Sequence, residues 1–211
     1  KGTGKFTVLA NPNAPTGLAL PLEKVEEIIA SNPDQVVVID EAYVDFGGES
    51  AYPLMEKYDN LIVVRTFSKS RSLAGGRLGF ALGSRELIRD LNTIRFSTNP
   101  YNINRMTMAA GIGALACEKY TRQNCDTVIQ NREFCASELK KMGFEMTDSK
   151  ANFIFAKHAE FDGGELYARL RERGILVRHF GKERLSDFVR ITIGQKRDMQ
   201  KLIDTIKERM L

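Results

Sequence analysis

The segment 61-LIVVRTFSKSRSLAGGRLGF-80 decides the fold, because it joins a strand, a polar loop and a second strand. Its apolar start is typical of a strand buried in a sheet, and that run ends in Thr-Phe-Ser-Lys. Three arginines, Arg65, Arg71 and Arg77, surround Lys69 in the sequence. A lysine that acts as a nucleophile must spend time unprotonated, and neighbouring cations favour that state. The segment therefore predicts a reactive amine at the end of a strand. The arginines are its neighbours in the sequence, and the sequence leaves open whether they point at Lys69.

Strand-like and helix-like segments alternate through the first half of the chain. We predict a helix for LEKVEEIIA (22–30) and strands for FTVLA (6–10), VVVID (36–40), LIVVRT (61–66) and RLGFALG (77–83). VVVID is β-branched and apolar, as expected of a strand buried on both faces. The alternation favours an α/β sheet that is largely parallel.

The second half of the chain is predicted to be a smaller α+β unit. Long helices are expected in 103–120 and 125–142, an amphipathic helix in 164–174 and a closing helix in 199–210. Strands are expected in 151–158, 175–180 and 188–194. We place the domain boundary inside the helical region, which gives domains 1–120 and 121–211.

The composition is that of an ordinary soluble globular protein. The 211 residues are 43% hydrophobic and 27% charged, with a formal net charge of +4. The basic residues are spread along the chain without interleaved aromatics, which argues against a nucleic-acid partner. The three cysteines match no metal-binding spacing, so no metal is expected. No run is long enough for a membrane span and no signal peptide opens the sequence, so we expect a cytoplasmic protein without a membrane partner.

Polar side chains follow each of the first three predicted strands. They are Asn11 and Asn13 after the first, Asp40, Glu41 and Tyr43 after the second, and Thr66, Ser68 and Lys69 after the third. Taken singly, each has an ordinary explanation as a turn residue or a solvated side chain. Ligands of parallel sheets bind beyond the carboxyl ends of the strands, so together these groups predict a site. A Schiff-base lysine, an acid for a ring nitrogen and hydroxyls for a phosphate indicate pyridoxal phosphate.

Four motifs resemble the motif series of fold-type I pyridoxal-phosphate aminotransferases, most closely the histidinol-phosphate aminotransferase family. They are NPNAPTG (11–17), VVVIDEAYVDF (36–46), VVRTFSKSRSLAGGRLGF (63–80) and FVRITIG (188–194). The resemblance covers essentially the whole chain. It implies the C-terminal part of the cofactor-binding large-domain sheet, followed by a smaller α+β domain.

The resemblance also implies a role for each candidate residue. Lys69 would form the Schiff base with the cofactor and shuttle the proton, Asp40 would pair with the ring nitrogen, and Tyr43 would bond the ring oxygen. Thr66, Ser68 and Arg77 would hold the phosphate. Arg190 resembles the arginine that receives an anionic group of the substrate, and Arg178 resembles a second arginine near the same pocket.

Two features depart from the family pattern. The loop that usually reads Asn-Pro-Thr-Gly has Ala14 in place of the asparagine, which leaves Asn13 as the candidate that compensates. Family members also carry an N-terminal segment that this sequence lacks, so we expect an N-terminally truncated chain.

The function implied is transamination of an amino acid or amino alcohol phosphate, such as histidinol phosphate or an aromatic substrate, with glutamate and 2-oxoglutarate. The family setting is histidine biosynthesis by a homodimer. Two alternatives stay open: decarboxylation of a phosphorylated amino acid of the threonine-phosphate type, and an inactive fragment.

Overall fold

The structure, a computed structural model, describes residues 6–210 and their side chains through residue 208. The chain divides into two compact units, one formed by Lys1–Asn13 with Ala19–Asn124 and the other by Ala14–Leu18 with Cys125–Leu211. Residues 1–5 and 211 of the two predicted domains lie outside the described residues. The functional division at residues 120 and 121 stays a prediction.

The first unit contains a four-stranded sheet with strands in chain order. Its strands are β1 (Phe6–Ala10), β2 (Val36–Asp40), β3 (Leu61–Thr66) and β4 (Gly79–Gly83). The first three are parallel, and β4 returns antiparallel to β3. Helix α1 (Leu22–Ala30) connects β1 to β2, as a parallel pair requires. The α/β fold class is confirmed.

The strand register brings the carboxyl ends of β1, β2 and β3 level with one another. Asp40 is paired with Ala10 on one side and with Val64 on the other. Beyond the strands, the backbone N–H of Asn11 donates to the Asp40 carbonyl at 2.9 Å, and that of Glu41 donates to Val64 at 2.8 Å. The polar residues that follow these strands therefore start from a common edge.

The core of the first unit lies between one face of the sheet and α1. Val37 and Ile39 of β2 are fully buried there against Val25 and Ile29. The prediction that β2 is buried on both faces is wrong for the described residues, because the alternate side chains of 36, 38 and 40 are only half-buried. Successive side chains of a strand point to opposite faces, and the described residues only half-cover the face of β2 that points away from α1.

Helices α2 (Arg85–Thr98) and α3 (Arg105–Ala116) follow the sheet in the first unit. Ser84 caps α2 by accepting from the Leu87 N–H, and Asn104 caps α3 by accepting from Thr107. The unit also contains three short 3₁₀ helices, Val44–Phe46, Tyr52–Glu56 and Ala74–Gly76.

The second unit is built on an antiparallel sheet. Helix α4 (Glu118–Lys141) precedes β5 (Phe144–Met146), β6 (Phe153–His158), α5 (Gly163–Glu172), β7 (Arg178–His179), β8 (Val189–Thr192) and α6 (Lys196–Met210). The strand order is β5-β6-β8-β7. The core packs helix side chains such as Leu139 and Ile206 on Ile154 and Ile191. Burial in this core raises the pKa of the Cys135 thiol to about 12.

Candidate active site

Lys69 lies in the loop that connects β3 to β4. The loop is closed by backbone hydrogen bonds from Phe67 to Leu78 (3.0 Å) and from Leu73 to Phe67 (2.9 Å), and the Phe67 ring is buried beneath it. Lys69 itself is exposed, and its Nζ lies 5.4 Å from the centroid of the Tyr43 ring. The structure thus brings the predicted amine and the predicted phenol together.

Asp40, Thr66 and Ser68 lie at the same edge of the first sheet and are all half-buried. Oδ1 of Asp40 accepts from the Ala42 N–H at 3.0 Å, which holds its carboxylate in a turn beyond β2. Oγ1 of Thr66 accepts from the Ser68 N–H at 3.0 Å. A carboxylate and two hydroxyls are therefore presented beyond neighbouring strands.

Arg77 begins the return of the chain toward β4. Its φ of 53° is in the left-handed region, and its exposed guanidinium donates to the Ala74 carbonyl at 3.1 Å. A Cβ on Gly79 would lie 2.9 Å from the Arg65 carbonyl, so the close pairing of β4 with β3 requires glycine there. Glycine at position 79 thus allows the chain to pair closely with β3 two residues after Arg77.

Two of the three arginines around Lys69 are neutralised by carboxylates. Arg65 pairs with Glu41, and Arg71 donates from Nη2 to Glu118 and from Nη1 to the Ala114 carbonyl, both at 2.8 Å. The hydrogen bond from Arg71 lowers the pKa of the Glu118 carboxyl. Arg65 and Arg71 thus each pair with a carboxylate, and the expectation that a positive field keeps the Lys69 amine available stays a prediction.

The remaining charges at this edge have no ion-pair partner. Within the part of the chain that the structure describes, Asp40, Lys69 and Arg77 form no salt bridge. Half-burying the Asp40 carboxylate without a cationic partner costs free energy, which a bound cationic group would recover, whereas the exposed Lys69 and Arg77 are solvated and accessible. These three groups are thus available for a ligand.

The side chain of Asn11 holds the loop after β1 together through hydrogen bonds to the backbone of Leu20. Asn11 is buried, its Oδ1 accepts from the Leu20 N–H at 2.8 Å, and its Nδ2 donates to the Leu20 carbonyl at 3.2 Å. Asn13 is half-buried and Ala14 is exposed. A role for Asn13 in place of the missing asparagine stays a prediction.

Arg178 and Arg190 belong to the second unit and face each other across β7 and β8. They are register partners, and their guanidinium carbons lie 5.5 and 5.8 Å from the Phe180 ring. Arg190 also lies 5.0 Å from the Phe153 ring, and its buried Nε has no hydrogen-bond partner among the described residues. Like charges directly opposite in a sheet repel, so this pair favours an anion.

The sequence profile described as "Aminotransferase class I and II" matches residues 2–206. The chain belongs to this family. A relative named histidinol-phosphate aminotransferase, from Brachyspira hyodysenteriae, is 50% identical over 94% of the chain. The chain spans 56% of that relative's length.

Solved structures give the same fold. The histidinol-phosphate aminotransferase from Sinorhizobium meliloti in complex with pyridoxal-5′-phosphate is 27% identical, with a TM-score of 0.85 over 97% of this chain and 58% of that one. The L-threonine-O-3-phosphate decarboxylase from Porphyromonas gingivalis is 22% identical, with a TM-score of 0.84 over 98% of this chain and 64% of that one. At that identity, the second likeness shows the fold alone.

Residues 6–210 contain no group of three or more His, Cys, Asp or Glu arranged to hold a metal ion. No helix within the same range is long and apolar enough to cross a membrane.

Proposed function

We propose that the protein containing this chain is a pyridoxal-phosphate-dependent aminotransferase. Its substrate would be an amino acid or amino alcohol phosphate of the histidinol-phosphate type, or an aromatic amino acid, with glutamate and 2-oxoglutarate as the other pair. The observation that carries the proposal is the set of unpaired charges, Asp40, Lys69 and Arg77, at the level carboxyl ends of parallel strands. Family membership and the 50% identical relative support the reaction class.

The chemistry of these groups fits pyridoxal phosphate. The cofactor carries a basic ring nitrogen, a phenolic oxygen, an aldehyde and a phosphate, and the edge presents a carboxylate, a phenol, an amine and a guanidinium. Asp40 would hold the ring nitrogen in its protonated form, and Tyr43 would donate to the phenolic oxygen. Thr66, Ser68 and Arg77 would bind the phosphate, because hydroxyls and a guanidinium satisfy its oxygens.

Lys69 would hold the cofactor and move the proton. When bound, pyridoxal phosphate supplies a ring that accepts electrons from the substrate carbon that loses a proton. Nζ of Lys69 would take that proton from the substrate Cα and deliver it to C4′, the cofactor carbon that carries the aldehyde. Its exposed position beside the Tyr43 ring supports access to a substrate.

Arg190 and Arg178 would bind the anionic group of the substrate. Two guanidinium groups across adjacent strands suit a phosphate dianion or a carboxylate, since each guanidinium offers a planar pair of donors. The buried Nε of Arg190 without a partner supports this assignment, because a bound anion would satisfy it.

We further propose that the protein acts in the cytoplasm, in histidine biosynthesis, as a homodimer. The names of its relatives support the pathway. Exposed apolar side chains on and beside α3, including Met106 at 84% and Ile112 at 66% exposure, support a subunit interface.

The test is an amino-transfer assay on the protein as its gene encodes it. With histidinol phosphate and 2-oxoglutarate, the wild type should form glutamate, and Lys69→Ala should lose at least about 1,000-fold in kcat. Lys119→Ala, which removes an exposed lysine of α4, should keep full activity. A second assay supplies threonine phosphate, which carries the carboxylate that a decarboxylase removes. Release of carbon dioxide from it, without glutamate formation in either assay, would favour the decarboxylase alternative, and a protein inert toward both substrates would favour the inactive one.

A further inference from the structure

A network of hydrogen bonds and ion pairs joins residues that neighbour Asp40, Tyr43 and Lys69 in the sequence. We call Glu41, Asp45, Arg65 and Ser70 the carboxylate–arginine network. Arg65 donates to Oε2 of Glu41 from Nε at 3.0 Å and from Nη2 at 2.9 Å, while its Nη1 lies 3.6 Å from Oδ1 of Asp45. The Ser70 hydroxyl donates to Oδ2 of Asp45.

The Glu41 end of the network is buried and fully bonded. The Glu41 side chain is 1% exposed, and besides Arg65 it accepts from Ser50 Oγ at 2.8 Å and from the Ala51 N–H at 2.6 Å. A buried carboxylate with this many donors is held in one geometry, because these donors replace the water that it has lost. The Arg65 guanidinium is therefore fixed, and its planar fork fixes the direction in which it meets Asp45.

Each acidic or hydroxyl member of the network lies within two residues of a candidate residue in the sequence. Glu41 follows Asp40, Asp45 comes two residues after Tyr43, and Ser70 follows Lys69. Ser70 is 6% exposed, so its hydroxyl anchors an otherwise exposed part of the loop to the sheet edge. The backbone that carries the amine is thus tied through Asp45 and Arg65 to the backbone that carries the carboxylate.

We propose that Asp45 and Ser70 are positioning residues that hold the Lys69 amine at a fixed place relative to Asp40 and Tyr43. This inference rests on the proposed cofactor chemistry of Lys69. The contacts of Asp45 and Ser70 are with each other and with Arg65, so we assign their effect to the loop conformation: without the Ser70 hydroxyl, Lys69 samples more positions and meets the cofactor less often.

The experiment compares two serine-to-alanine variants of the protein as its gene encodes it. Ser70→Ala removes the hydroxyl beside Lys69, and Ser50→Ala removes a hydroxyl that bonds to Glu41 at the other end of the same network. The measurements are the Kd of apoprotein for pyridoxal phosphate, the pH midpoint of the bound cofactor's visible absorbance, and the urea unfolding of apoprotein. Ser70→Ala should raise the Kd about tenfold and move the pH midpoint, because a hydrogen bond to a charged group is lost.

Ser50→Ala leaves Glu41 bonded to Arg65 and to the Ala51 N–H, so Arg65 keeps its place. This variant should change the Kd less than about twofold while destabilising the apoprotein about as much as Ser70→Ala does. Ser70→Thr should restore the wild-type Kd. Asp45→Asn with Ser70→Ala should bind no more weakly than the weaker single variant, since both act through one contact. Unchanged Kd and pH midpoint in Ser70→Ala would overturn the inference while leaving the proposed function standing. Wild-type protein without any visible cofactor absorbance would overturn both.

Discussion

Asp40 and Glu41 are adjacent carboxylates with opposite environments. Asp40 is half-buried and has no ion pair among the described residues, whereas the Glu41 side chain is 1% exposed and bonded to Arg65. Consecutive side chains at the end of a strand point in opposite directions, so one faces the site and the other faces inward. The same alternation explains why Asp40 is left for a ligand while its neighbour Glu41 forms a buried ion pair with Arg65.

The Arg190 side chain gives a prediction at the residue scale. Replacing Arg190 by Gln should raise KM for a phosphorylated substrate by about 10- to 100-fold, because a charge-assisted pair of hydrogen bonds is lost. Arg190→Lys keeps the charge without the planar fork and should fall between wild type and Arg190→Gln. The measurement is steady-state kinetics with histidinol phosphate.

An exposed arginine provides the matched control for that series. Arg173→Gln should leave KM unchanged, because Arg173 lies on the surface after α5. An Arg190→Gln enzyme with wild-type KM would show that the guanidinium does not contact the substrate.

At single positions, the sequence predicted which polar residues gather but not which charges remain unpaired. The convergence of Asp40, Tyr43, Thr66 and Lys69 follows from reading strand ends, which depends only on local pattern. The neutralisation of Arg65 by Glu41 and of Arg71 by Glu118 joins residues 24 and 47 positions apart, and local pattern does not encode such pairs. The available signal for the carboxylate–arginine network was that its polar members each lie within two residues of a candidate residue. These members are Glu41, Asp45 and Ser70.

At the scale of elements, the first three strands and α1 were predicted closely, and one exposed helix was missed. The bounds of β1, α1, β2 and β3 agree with the sequence pattern, because these segments fill one core. Helix α2 was missed: it buries no residue, although Ser84 and the spacing of Leu87, Leu91 and Ile94 were available signals. The strand predicted over 175–180 is reduced to the two residues of β7, since a strand at the edge of a sheet pairs on one side only.

Two glycines with nearly equal backbone angles give a prediction at the element scale. Gly17 and Gly174 have φ of 73° and 72°, but a Cβ at Gly17 would lie 2.1 Å from Ser149 Oγ, while Gly174 faces open space. Gly174→Ala should cost about 1–2 kcal/mol from backbone strain alone. Gly17→Ala should cost at least about 1 kcal/mol more, because it adds overpacking.

Urea unfolding of the two alanine variants measures this difference. The contact matters because Thr16 and Gly17 are tied to 147–150 by bonds from the Thr147 hydroxyl and from the Lys150 N–H, the latter at 2.8 Å. Equal free energies of unfolding for the two variants would contradict this prediction, because they would mean that the Ser149 side chain moves away from the new methyl group without a loss of stability.

At the scale of the whole molecule, the candidate groups are divided between the two units. The residues proposed to hold the cofactor lie in the first unit, and the arginines proposed to bind the substrate lie in the second. The chain order of the motifs predicted this division, because the lysine motif precedes the helical region and FVRITIG follows it. The half-covered second face of β2 among the described residues was not predicted, since an apolar strand sequence does not reveal what covers its second face.

The central claim is that Lys69 is the residue that binds pyridoxal phosphate covalently. The most direct measurement is borohydride reduction of the cofactor-loaded protein, as its gene encodes it, followed by digestion and peptide mass analysis. The claim predicts a reduced cofactor adduct on the peptide that contains Lys69, and its disappearance in Lys69→Arg. An adduct on another lysine, or no adduct on a protein that transfers amino groups, would contradict it.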